Sequence, residues 1–172
     1  MNIQIKKNKA LITACGGSLF FEKSIKSADV IFLYGTKSPF ILEREIIKYF
    51  NHLNLQTFDA SKKTLSEITD HISLNSNKKI ISYFNAGNYI YDFLQDINPI
   101  TLSKYETINI VFPNFTENAN EILSILKKLF FFNVVAYVVQ KNDIELTLCK
   151  DVSVRSIESS FIDLNSTIEN FF

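Results

Sequence analysis

Among its 172 residues the sequence has no tryptophan, one methionine, two histidines and two cysteines. Two cysteines, Cys15 and Cys149, cannot build a disulfide framework. Thiols buried in strands are the expectation, since free cysteine is among the most buried residue types. A metal site needs three or four ligands at workable spacing, and His52 and His71 sit in no such cluster, so neither a metal nor a cofactor is expected. The sequence contains no G-x-x-x-x-G-K-[ST] phosphate loop and no G-x-G-x-x-G dinucleotide fingerprint. Neither sign of charge is in excess, with 18 Lys and Arg against 18 Asp and Glu. A protein that coats nucleic acid would show a basic surplus, and direct nucleic-acid binding is not expected. No apolar stretch approaches the ~20 residues that span a bilayer. Met1–Lys9 is polar and basic, and Ala10–Cys15 is too short for a signal-peptide core. These absences predict a cytoplasmic protein without membrane partners.

What is present predicts a folded domain. Hydrophobic residues make up 47% of the chain and charged residues 21%, a balance typical of globular proteins. The length suits one domain over 1–172, with no internal repeat or long linker. Short apolar runs alternate with helical patterns. Ala10–Ala14 is a strand candidate, and Leu19–Lys26 reads as a short helix capped by Ser18. Val30–Tyr34, Lys79–Phe84 and Thr107–Phe112 are continuous apolar runs, as expected of strands buried on both faces. Leu55–Phe58 is a further strand. Pro39 suits the first turn of a helix that carries Ile41, Leu42, Ile46, Ile47, Phe50 and Leu53 on one face. Thr64–Leu74, Tyr89–Ile97 and Glu117–Leu129 read as helices. Val134–Val139 and Ile144–Cys149 are two strands at hairpin spacing, with a parallel arrangement left open. Val154–Phe171 reads as a final helix, and Phe171 and Phe172 suit a partner surface or a packed terminus equally. Such alternation predicts an α/β fold, a three-layer αβα sandwich around a mainly parallel, Rossmann-like sheet of five to six strands. Residues 1–18 are an N-terminal extension or an extra edge strand.

Open parallel sheets bind ligands at the carboxyl ends of their strands, where the strand order reverses. Three loops qualify. Gly35, Thr36, Lys37 and Ser38 lead into a helix whose free amides suit a phosphate. Asn85, Ala86, Gly87 and Asn88 join another strand to a helix start, as Cys15–Ser18 does near the N-terminus. The candidate ligand residues are Gly35, Thr36, Lys37, Ser38, Asn85, Gly87 and Asn88. Such turns also carry Gly, Ser and Asn for geometry and capping alone. Catalytic groups are sparse. His52 lies at a helix end, where a cation is favourable. His71 falls in a polar helical stretch and reads as a surface residue. Glu158, in the first turn of the last helix, is the remaining candidate for a general base. No acid–base pair or nucleophile set can be placed by spacing, so no catalytic residue is assigned.

Residues 19–60 resemble the opening of a SIS (sugar isomerase) domain, in the version found in RpiR-type sugar-responsive regulators. Gly35 and Ser38 match that family's first phosphate loop. Lys37 replaces its second Gly, Pro39 a frequent Ser, and Asn54 the Gly that ends the helix. In the second loop Asn85 and Asn88 stand at the Ser and Thr positions. The tail, with Asp143-Ile144, Arg155-Ser156 and Ser159-Ser160, is similar as well. The resemblance implies a SIS-like, homodimeric effector domain that binds a phosphorylated sugar or similar anion, without the helix-turn-helix of the regulators. A sugar-phosphate isomerase is the enzymatic alternative. With Ala10–Ala14 as a true first strand, the order instead resembles the CRISPR-associated Rossmann-fold domains that sense cyclic oligoadenylate.

Overall fold

The computed structural model describes residues 12–15, 18–35, 40–59 and 61–150. Two short strands come first, β1 (Ile12–Cys15) and β2 (Ser18–Phe21), then α1 (Glu22–Ser27), β3 (Val30–Gly35), α2 (Phe40–Tyr49) and β4 (Asn54–Asp59). The chain continues through α3 (Lys62–Ser66), α4 (Ile68–Ser73), β5 (Ile80–Asn85), α5 (Tyr89–Asp96), α6 (Pro99–Leu102) and β6 (Tyr105–Phe112). The last of the described elements are α7 (Ala119–Lys128), β7 (Asn133–Gln140) and β8 (Asp143–Cys149).

Six strands form one sheet in the order β4-β3-β5-β6-β8-β7. The first four are mutually parallel, and β8 runs antiparallel to both β6 and β7. The α/β sandwich expected from the sequence is therefore formed, with a hairpin at one side. The turn of that hairpin, Lys141-Asn142, has Lys141 in the left-handed region at φ 54°.

Alternation along β3 divides the core. Val30, Phe32 and Tyr34 pack on one face with Leu65, Ile68, Ile90, Leu94, Ile122 and Ile125 from α3, α4, α5 and α7. Ile31 and Leu33 pack on the other with Ile25, Leu42, Ile46 and Phe50 from α1, α2 and the turn after it. Because both faces are covered, β3 shows no polar alternation, which made it legible as an apolar run.

Several local expectations are corrected. Ser18 does not cap a helix over Leu19–Lys26. Ser18–Phe21 pairs antiparallel with β1, and the helix starts at Glu22. Phe20 is buried in the α1–α2 core, so strand pairing and burial win over the helical pattern. β1 pairs with β2 in a separate two-stranded sheet, and it is not an edge of the six-stranded one. The helix expected over Thr64–Leu74 is two helices that meet at Glu67, at φ −88°, ψ 3°. Its cap is Ser61, whose Oγ accepts from the Thr64 N–H at 3.2 Å. Pro99 opens the short helix α6, with Asn98 as its side-chain cap. The last helix expected at 154–171, with Glu158, lies outside the described residues.

Candidate functional site

β3 is the first strand of the large sheet, and its successors lie on opposite sides of it, β4 on one and β5 on the other. The order therefore reverses between β3 and β5, the place where open α/β sheets leave a crevice. The two strands end together, with Gly35 opposite Asn85 in the register. Gly35 is half-buried and Asn85 likewise. Thr36, Lys37 and Ser38 lie outside the described residues.

After Asn85 the chain turns through Ala86, Gly87 and Asn88 into α5. Gly87 has φ 55°, a backbone region that costs a β-carbon roughly 1–2 kcal/mol. Added bulk there would meet no neighbour within 4 Å, so the demand for glycine is conformational. Asn88 occupies the N-cap position with α-helical angles and makes no side-chain cap. Backbone carbonyls serve two of the first-turn amides instead, Ile90 N–H donating to the Gly87 carbonyl at 3.1 Å and Tyr91 N–H to that of Asn88 at 3.4 Å. Asp92 also lies in this first turn.

On the sheet face that carries Ile31 and Leu33, the strands beyond β3 present polar side chains. The register aligns Tyr83, Asn109, Thr147 and Ala136 across β5, β6, β8 and β7. The next residue on this face of β8 is Glu145, opposite Val111 and Val138. Glu145 is only 7% exposed. Ser18 Oγ donates to Glu145 Oε2 at 3.0 Å, and Asn109 Nδ2 to Glu145 Oε1 at 3.1 Å. Asn109 Nδ2 also reaches Thr147 Oγ1 at 3.3 Å. Further along the strands, Ser24 Oγ and Cys149 Sγ lie 3.7 Å apart. The buried hydroxyls of Ser82 and Thr107 have no hydrogen-bond partner among the described residues. Cys149 is a buried free thiol, as expected.

Tyr83 joins this polar row to the crevice. Burial pushes its hydroxyl up to about 12, and the Glu145 carboxylate adds to the rise, while hydrogen bonding with Ser18 and Asn85 opposes it. A neutral tyrosine favoured by the fold has a definite consequence in alkali. Stability is complete below the ordinary tyrosine value near 10 and is lost as pH rises toward the folded value, by up to about 1.4 kcal/mol per pH unit per tyrosine. Tyr34, Tyr91 and Tyr105 are raised in the same sense, each chiefly by burial. Urea midpoints measured between pH 8 and about 11.5 should therefore fall above pH 10. Tyr83→Phe should make the fall shallower, and a profile unchanged by that substitution would contradict the assignment.

The histidines play other parts. His52 is exposed in the turn after α2, and its ring meets Phe50 edge-on at 6.5 Å. His71 is not a surface residue. It is half-buried, stacks on Phe58 at 4.1 Å, and its Nδ1 lies 3.3 Å from the Tyr34 hydroxyl. That hydroxyl is 3.5 Å from the Tyr105 hydroxyl. The polar neighbours of His71 in sequence conceal this, because the aromatic partners come from β3 and β4. Among the described residues no group of three His, Cys, Asp or Glu is placed to hold a metal, and no helix is long and apolar enough to cross a membrane.

Sequence reasoning missed Tyr83, Asn109, Glu145 and Thr147. Thr107/Asn109 and Glu145/Thr147 alternate with apolar residues, a pattern that ordinarily marks a solvent-facing side of a strand. Here β2 lies against that side, through contacts with β6, β7 and β8. No protein-family profile and no curated protein matches the chain.

Proposed function

We propose that this chain is a SIS-like sensing domain that binds a phosphorylated sugar, or a similar anionic small molecule, where β3 and β5 end. The observation that carries the reading is the in-register pairing of Gly35 with Asn85 at the reversal of strand order. Two features support it. The loop after Asn85 feeds a helix whose first turn has no side-chain cap, an arrangement suited to phosphate oxygens. On β5 the half-buried Tyr83 shares a face with Leu33 and hydrogen bonds with Asn85, which puts a polar group beside the strand ends that suits sugar hydroxyls on that side. The reading is one of binding, since the carboxylate–hydroxyl pair beside Tyr83, Glu145 with Ser18, is buried and closed to a substrate.

The test is a calorimetric titration with a panel of pentose and hexose phosphates, inorganic phosphate and cyclic oligoadenylates. Sugar phosphates should bind with a Kd of about 1 mM or tighter. Asn85→Leu and Gly87→Val should each weaken binding about tenfold or more. Absence of binding across the sugar phosphates would overturn the proposal, and so would affinity indifferent to both substitutions. Binding of cyclic oligoadenylates alone would favour the rival resemblance, although β1 lies outside the six-stranded sheet.

A further inference from the structure

Two surface features match each other in size and charge, and the first shares Asp92, in the first turn of α5, with the crevice. The first is a groove of about 240 Å³ between α3, α4 and α5, with Leu65, Ile68, Phe93 and Ile97 among its lining residues and Asp92 and Asp96 at its side. Both carboxylates are exposed. Neither has a hydrogen-bond or ion-pair partner among the described residues. Asp96 is the last residue of α5, where the helix dipole disfavours a negative charge. A cation brought to this place would relieve that cost.

The second feature is the turn after α7. Phe130 is 70% exposed and Phe131 37%, and their rings lie 3.9 Å apart. Lys127 and Lys128 precede them in the last turn of the helix. Lys128 donates to the Gln95 carbonyl, whereas Lys127 is exposed and has no ion-pair partner among the described residues. The turn is thus a protruding apolar tip beside a free cation.

We infer that the Phe130–Phe131 tip of one molecule docks in the α3–α4–α5 groove of a second copy of this chain. The sizes agree, since an apolar cavity of about 150 Å³ already accepts a benzene ring. The charges agree too, because Lys127 approaches beside a phenyl ring while Asp92 and Asp96 wait at the groove. A tip and a groove are different patches of one surface. Reciprocal docking therefore closes a dimer, and one-way docking extends a chain. The inference does not depend on what the crevice binds.

Sedimentation velocity across a concentration series tests it. The wild-type chain should self-associate with a Kd below about 1 mM, and about 0.5 M salt should weaken the association by screening. Phe130→Ser with Phe131→Ser, and separately Asp92→Lys with Asp96→Lys, should each raise the Kd about tenfold or more. A mixture of the two variants should recover a one-to-one complex, because one contributes an intact groove and the other an intact tip. Circular dichroism verifies that each is folded. Should either pair fail to fold, the single changes Phe130→Ser and Asp96→Asn replace it, and each should weaken association measurably. A wild-type chain that stays monomeric to about 1 mM overturns the inference. Association indifferent to both variants does so as well, as does a mixture that fails to recover the complex.

Discussion

Glu145→Ala is expected to lower the stability of the chain by about 3 kcal/mol. The carboxylate accepts from Ser18 through Oε2 and from Asn109 through Oε1. Removing it strands two buried donors and opens a void beneath β2. A hydrogen bond to a charged group contributes about 1.5–3 kcal/mol, and a buried group left unsatisfied costs about 1–3 kcal/mol. Glu145→Gln keeps the shape and one acceptor oxygen, and should cost roughly half as much. Urea unfolding of the three proteins at neutral pH decides the matter through the midpoints. If Glu145→Ala unfolds within about 0.5 kcal/mol of the parent, the level of an ordinary surface change, the carboxylate has no such role.

Phe84→Ala should cost more, about 3–5 kcal/mol. Phe84 is fully buried on β5, its ring is parallel to that of Tyr34 at 4.8 Å, and it meets Tyr105 edge-on at 6.1 Å. Loss of the ring leaves a cavity between the two central strands and the helices above them. Neighbouring rings held by Phe32 and Phe58 cannot collapse into it without breaking their own contacts. For a chain of this size each kcal/mol shifts Tm by about 2–4 °C, so scanning calorimetry should show a drop of about 10–15 °C. Phe84→Leu, which refills much of the volume, should recover more than half of it. A drop of only a few degrees for the alanine variant would mean that the stack is not a principal support of the fold.

The elements that could be read from the sequence are those whose burial is complete or whose periodicity is strong. The runs at β3, β5 and β6 stand out because both faces are covered, and α7 because Ile122, Ile125 and Leu126 repeat at helical spacing. What could not be read depends on distant partners. Ser18–Phe21 is four residues long and becomes a strand only because β1 pairs with it. His71, on α4, looks polar until Phe58 and Tyr34 arrive from β4 and β3. The crevice was half legible. Gly35 and the Asn85–Asn88 loop carry the signals of strand ends, but their meeting depends on strand order, which no local window contains. The polar row was hidden for the opposite reason, because its alternation imitates a wet surface.

The hairpin at the side of the sheet sets an order of assembly during synthesis. β8 lies between β6 and β7, although it is the last of the six strands to be made. Until Cys149 has left the ribosome, β6 keeps one open edge, and Thr107 and Asn109 have a strand beside them only on the β5 side. The parallel half can form from the first 112 residues, yet the carboxylate of Glu145 arrives only with the final insertion. A nascent chain halted before that point should expose a sticky β6 edge to chaperones, and release of β8 should end that exposure in a single step.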